Sequence, residues 1–216
     1  MSAIKAVLWD FGGVITSSPF DAFNRYEAER GIPRDFIRGV NATNPDDNAW
    51  ARFESSRIDI DEFDRQFLAE TTAAGHAVPG RDVTKLLGGD VRPRMVEVLK
   101  RCKNDYTIAC LTNNANAGQG SGMSSSDAQA GAVAEVMALF DCIVESSKEG
   151  IRKPDAAIYR LACERIGIEP EHVVYLDDLG INLKPAKAMG MTTIKVLHEQ
   201  QAIDDLGHAL SIRFDV

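Results

Sequence analysis

The stretch "AVLWDFGGVITSS" sets one carboxylate, Asp10, at the end of a short apolar run, followed closely by Gly12 and Gly13. Three further places gather polar side chains after or beside apolar runs. They are Thr112, Asn113 and Asn114 after "YTIACL", Lys153 before the proline of "RKPDAAIY", and Asp177 and Asp178 at the end of "HVVYLDD" with Asn182 just beyond. A carboxylate held at a strand end can attack phosphorus and form an aspartyl-phosphate, splitting one displacement into two easier steps. Asp10 is the candidate nucleophile. Thr112 and Asn113 can hydrogen-bond phosphoryl oxygens, and Lys153 adds a positive charge that balances nucleophile and transferring group alike. Gly12 and Gly13 let the backbone turn tightly and present N–H groups to the same oxygens.

An anionic substrate beside Asp10, Asp177 and Asp178 brings like charges together, which an ionised nucleophile tolerates only beside a bound cation. Magnesium is the expected ion, since it prefers oxygen ligands in near-octahedral geometry. Asn182, four residues after Asp178, falls on the same face of the following helix and is expected to orient Lys153 or a metal-bound water. Taken singly, a strand-end Asp or Thr is usually a cap or turn residue, and a lysine before proline is usually solvated. The combination outweighs those readings. His76, His172, His198 and His208 show no ligand spacing and default to surface or packing roles.

The elements that must position these groups follow from hydrophobic periodicity. "AIKAVLWD", "YTIACLTNN" and "HVVYLDD" are nearly continuous apolar runs, as expected of parallel strands covered on both faces, and "MTTIKV" adds another strand. "RPRMVEVLKRCK" and "PDAAIYRLACERIG" carry helical stripes, the second with Pro154 at its entrance and Gly167 at its stop. Alternating strands and helices predict an α/β fold with a doubly wound parallel sheet, whose ligands bind outside the carboxyl ends of the strands.

Residues 17–89 break the alternation. "FDAFNRYEAERG", "DNAWARFESS" and "DIDEFDRQFLAETTAAG" read as successive amphipathic helices, which divides the chain into a core of 1–16 plus 90–216 and a helical insert of 17–89. Asp59 and Glu62 form a capping-box pattern. A calcium loop over Asp59, Asp61 and Glu70 is disfavoured because Phe63 stands at a ligand position and Asp64 where glycine is needed. The Gly- and Ser-rich stretch 115–131 reads as a mobile loop.

At 216 residues and 44% apolar content the chain can bury a substantial core, and a formal net charge of -8 gives no support to a nucleic-acid or anionic-membrane partner. A small soluble substrate fits better. Cys102, Cys110, Cys142 and Cys163 form no CxxC and read as reduced core residues. No segment has the apolar length to span a bilayer, and a cytoplasmic location is expected. Oligomeric state leaves no signal in the sequence.

Asp10, Thr112, Lys153 and the Asp177–Asp178 pair with Asn182 resemble, in order and context, the four motifs of the haloacid dehalogenase-like hydrolase superfamily, over nearly the whole chain. "DFGGVI", "RKPDAAIY" and "YLDDLGIN" most resemble the branch of the N-terminal phosphatase domain of soluble epoxide hydrolase and of bacterial sugar-phosphate phosphatases. The resemblance implies a Rossmann-like core with a helical cap domain and a magnesium-dependent phosphatase acting on a small phosphorylated metabolite such as a sugar phosphate. It implies magnesium ligands at Asp10, the Gly12 carbonyl and Asp178, with Asp177 in a supporting place that is often glycine.

One departure stands out. Many of these phosphatases have an aspartate where Gly12 stands, which protonates the leaving oxygen and later activates water, a contribution of roughly 10² to 10⁴ in rate. Two other readings therefore compete: a metal-independent 2-haloacid dehalogenase, which also lacks that second carboxylate, and a non-catalytic regulator or binding protein on the same fold. The Asp177–Asp178 pair disfavours the first, because an uncompensated pair beside an anionic substrate is costly. The retention of Asp10, Thr112 and Lys153 disfavours the second.

Overall fold

The computed structural model describes residues 3–114 and 127–216, so most of the Gly- and Ser-rich stretch lies outside the described residues. The chain opens with β1 (Ala6–Trp9) and continues through five helices, α1 (Pro19–Glu29), α2 (Phe36–Ala42), α3 (Ala49–Glu54), α4 (Ile60–Ala73) and α5 (Gly80–Lys85). Then follow α6 (Pro93–Cys102), β2 (Thr107–Thr112), α7 (Asp127–Met137), β3 (Cys142–Glu145), α8 (Ser146–Glu149) and α9 (Ala156–Ile166). The chain ends with β4 (Val173–Asp177), α10 (Gly180–Ala188), β5 (Thr192–Lys195) and α11 (Glu199–Leu210).

All strand pairs are parallel, and the five-stranded sheet runs β3-β2-β1-β4-β5. The path leaves β1 toward β2 and β3, then returns to β4 on the other side of β1. That reversal opens a crevice at the carboxyl ends of β1 and β4, where open α/β sheets bind ligands. The α/β fold expected from the sequence is the one observed.

Strand alternation divides the core into two layers. Val7, Trp9, Ile108, Cys110, Val174 and Leu176 pack on Met95, Leu99, Ile203 and Leu206 of α6 and α11. Ala6, Leu8, Leu111, Val173 and Tyr175 face Ile158, Tyr159, Ala162 and Ala186 of α9 and α10. Every residue of β1 is buried, which is why its sequence reads as an unbroken apolar run.

Helices α1 to α5 have a separate core of Phe23, Tyr26, Ile37, Phe53, Phe63, Phe67 and Val83, in which Phe53 and Phe63 stack with ring centroids 4.4 Å apart. Their ends carry side-chain caps: Ser18 on α1, Asn48 on α3, and Asp59 on α4, where its carboxylate accepts from Glu62 N–H at 2.9 Å. Asp59 thus serves as a cap. Two linkers join this helical segment to the sheet, and Thr16 and Val91 pair across them in an antiparallel bridge.

Several elements were not anticipated, helices α2, α5, α8 and α11 among them. Strand β3 has four residues and lies at the sheet edge, and α7 begins at Asp127, so the last residues of the stretch read as a loop are helical. All four cysteines are free, and Cys142 is the one not fully buried. Among the described residues, no helix is long and apolar enough to cross a membrane.

Candidate active site

Strand β1 ends one residue before Asp10, whose main-chain N–H donates to Leu176 O in β4 at 2.9 Å. The sheet ladder therefore fixes the backbone of the carboxylate. Asp10 is 7% exposed; its Oδ1 accepts from Phe11 N–H at 2.7 Å, and its Oδ2 lies 2.8 Å from Lys153 Nζ. Lys153 is 1% exposed and bridges to a second carboxylate, with Nζ also 2.8 Å from Asp177 Oδ2. One buried ammonium thus spans two buried carboxylates delivered by different strands.

Asp177 is fully buried. Its Oδ1 accepts from Leu179 N–H at 2.7 Å and Asn182 Nδ2 at 3.1 Å; its Oδ2 accepts from Lys153, from Asn182 Nδ2 at 3.1 Å and from the Tyr175 hydroxyl. A carboxylate offers about four lone-pair sites, so these donors leave Asp177 saturated. Asp178 differs: its carboxylate receives a long hydrogen bond from Ser18 Oγ at 3.5 Å and one from its own main-chain N–H. One carboxylate oxygen from each of Asp10, Asp177 and Asp178 lies within 4.8 Å of the others. This all-oxygen cluster suits magnesium, and the hydrogen-bond accounting leaves Asp178, together with Asp10, with capacity for it.

The two glycines do different work. Gly13 has φ +75°, and a Cβ there would sit 2.3 Å from Asp178 Oδ2, so only glycine allows this carboxylate to approach the turn. The Arg92 guanidinium braces the turn by donating to Gly13 O at 2.9 Å. Gly12 lies outside the left-handed region, and an added Cβ there would meet nothing within 4 Å.

Burial pushes the Asp10 carboxyl well above the usual range; Lys153 opposes the shift, while Asp177 and Asp178 reinforce it. Asp178 is pushed up to about 6 by burial and then by Asp177, against the pull of Lys153. Burial works against the Lys153 ammonium, yet Asp10 and Asp177 outweigh it and raise its pKa. The protein's own cation thus leaves negative charge in the cluster uncompensated, which a divalent ion would offset.

Asp10, Lys153, Asp177, Asp178 and Asn182 are brought together. Asn182 hydrogen-bonds Asp177 rather than Lys153 or Asp178, and Tyr159 holds it by donating to Asn182 O at 2.7 Å. Thr112, at the end of β2, is 6% exposed. The Asn113 carboxamide is already engaged, accepting from Lys153 N–H at 2.9 Å and donating to Lys153 O at 3.1 Å and Glu54 Oε2 at 3.4 Å. This leaves the Asn113 main-chain N–H, rather than its side chain, for an anionic ligand.

The sequence reading missed Tyr175, Ser18, Arg92, Glu54 and Arg152. Tyr175 had a usable signal, since a tyrosine inside a fully apolar strand needs a partner for its hydroxyl. The other four look like ordinary surface residues in one dimension.

A parallel sheet with carboxylates converging on a buried lysine at its switch point places the chain among doubly wound α/β proteins with an acidic site at the strand ends. A family model, haloacid dehalogenase-like hydrolase, matches residues 4–190, and the chain belongs to that family.

The chain is 31% identical over 209 residues to acyl-CoA dehydrogenase family member 10 of Mus musculus, covering 94% of this chain and 19% of that protein. It is 27% identical over 225 residues to bifunctional epoxide hydrolase 2 of the same species, covering 98% of this chain and 40% of that protein. The chain therefore spans less than half the length of either relative. Among solved structures, it is similar to a family enzyme from Bacteroides thetaiotaomicron in complex with magnesium and inorganic phosphate, with TM-score 0.59, 19% identity, and coverage of 89% of this chain and 94% of that one. At that identity the likeness speaks to the fold.

Proposed function

We propose that the protein is a magnesium-dependent phosphatase that hydrolyses a small phosphorylated metabolite through an aspartyl-phosphate on Asp10, with residues 17–89 acting as a substrate-selecting cap. The observation that carries this reading is the pairing of Asp10 with Lys153 at 2.8 Å beside Asp178, a carboxylate with unused acceptor capacity. The magnesium and phosphate bound by the Bacteroides enzyme support the same chemistry.

In this mechanism an Asp10 oxygen attacks phosphorus, the bond to the leaving oxygen breaks, and that oxygen takes a proton from water. Water then attacks the phosphorus, releasing inorganic phosphate and restoring Asp10. Lys153 favours the anionic form of Asp10 against its burial and balances charge on the phosphoryl oxygens. Thr112 Oγ1 and the N–H groups of Gly12, Gly13 and Asn113 are the assigned donors to those oxygens, while Asp177, held by Tyr175 and Asn182, fixes the ammonium. Asp10, the Gly12 carbonyl and Asp178 would hold magnesium, which when bound supplies charge neutralisation for the carboxylates and the transferring group.

The 2-haloacid dehalogenase reading shares the single strand-end carboxylate, but it leaves Asp178 without a role. A phosphate-release panel of metabolite phosphates, with and without EDTA, separates the two. Asp10→Asn is expected to abolish turnover with the fold intact, because the amide keeps the shape and loses the anionic nucleophile. Phosphate release that survives complete metal removal, or near-normal turnover by Asp10→Asn, would overturn the reading.

A further inference from the structure

We propose that Glu54, on helix α3, is a positioning residue for Lys153, so that seating the helical segment on the core completes the site; this rests on the reading of Lys153 as part of the phosphoryl-transfer machinery. Local structure gives no reason for a buried acid here. Glu54 is the last residue of α3 and is 8% exposed, and a carboxylate at a helix C-terminus opposes the helix dipole.

The groups that compensate it lie on the other side of the boundary. Arg152 Nε and Nη2 approach Glu54 Oε2 at 2.8 and 2.7 Å, and Asn113 Nδ2 donates to the same oxygen at 3.4 Å. The junction is reinforced by Ser146 Oγ donating to Glu54 O at 2.8 Å and by Arg152 Nη1 donating to Pro45 O at 3.0 Å.

Arg152 and Asn113 both lead to Lys153. Arg152 precedes it in the chain, and the Asn113 carboxamide clamps both the N–H and the C=O of Lys153, at 2.9 and 3.1 Å. Glu54 therefore holds the Arg152–Lys153 dipeptide by two routes, directly through the Arg152 side chain and indirectly through the Asn113 carboxamide that clamps the Lys153 main chain. Outward movement of the helical segment removes that grip while Asp10 stays on its strand. A partly buried ion pair of this kind roughly breaks even against solvation, so the contact can open for substrate entry and reform.

The test compares Glu54→Ala, Glu54→Gln and Arg152→Ala, with Ser56→Ala as control. Ser56 also bridges the boundary, donating to Ser147 O at 2.8 Å, but it does not reach Asn113. Amide hydrogen exchange at Lys153, followed by NMR, reads positioning without requiring activity. Glu54→Ala and Arg152→Ala are expected to speed exchange at Lys153 relative to the amides of β4, with Glu54→Gln in between and Ser56→Ala unchanged.

On magnesium-loaded enzyme with p-nitrophenyl phosphate, kcat for Glu54→Ala should fall about ten- to a hundredfold, the range for a displaced catalytic group, with KM changing less than kcat. Unchanged Lys153 exchange in both alanine variants, or equal acceleration throughout β4, would overturn the proposal. If wild-type protein hydrolyses no phosphate ester while Lys153 exchange still responds to Glu54, the phosphatase reading fails and the positioning contact stands.

Discussion

Replacing Gly12 with aspartate should install a general acid two residues beyond Asp10. The backbone at Gly12 is outside the left-handed region, and the first side-chain atom meets nothing within 4 Å, so the substitution requires no displacement of the turn at its point of entry. The new carboxyl stands two residues beyond Asp10, in the turn that borders the acidic cluster through Gly13. Like charges there raise its pKa and favour the protonated form that an acid needs. Positioned acid-base catalysis contributes roughly 10² to 10⁴ in rate, which is about 3–5 kcal/mol of barrier.

That gain should fall unequally across substrates. In the wild type, the departing oxygen depends on its own stability, so kcat/KM should fall steeply from aryl, acyl and anomeric sugar phosphates to phosphates of simple primary alcohols. Gly12→Asp should raise the poor substrates most and flatten the dependence. The assay is kcat/KM for a series of phosphate monoesters graded by leaving-group pKa, in both proteins at saturating magnesium. A flat wild-type dependence with chemistry rate-limiting would refute the reasoning, because another residue would then already supply the proton.

Gly13→Ala should behave oppositely to its neighbour: with φ +75° and a Cβ 2.3 Å from Asp178 Oδ2, it should displace that carboxylate and weaken magnesium binding by calorimetry, and unchanged affinity would remove Asp178 from the ligand set. Lys153→Ala should nearly abolish kcat and, by leaving Asp10 and Asp177 buried without their cation, destabilise the fold by about 3–5 kcal/mol in denaturant titration; a rise in KM alone would limit Lys153 to binding. Asp178 holds its proton more tightly in the folded state, with pKa up to about 6 against an ordinary 3.8, so its contribution to stability is lost as pH rises between those values. Magnesium binds the ionised form, so the magnesium-induced rise in Tm should be large well above pH 6 and shrink below it. A pH-independent rise would place the ion elsewhere.

The sequence alone determined the parallel α/β sheet, because strands covered on both faces must be continuously apolar and their periodicity is written residue by residue. It likewise revealed the order of the polar strand ends, the run of helices between β1 and α6, and glycine at position 12. The short edge strand β3 was not legible, since "CIVE" is too brief to distinguish from a buried helical turn. Tertiary structure decided how the acidic groups divide. Asp177 and Asp178 are adjacent and chemically identical, yet Asp177 is saturated by Lys153, Tyr175, Leu179 and Asn182 while Asp178 keeps acceptor capacity beside Gly13. It also engaged the Asn113 carboxamide with Lys153 and brought Glu54 to Arg152, residues 98 positions apart. Periodicity reports what each residue does to its own segment; charge pairing and saturation depend on distances between segments, which exist only once the chain has folded.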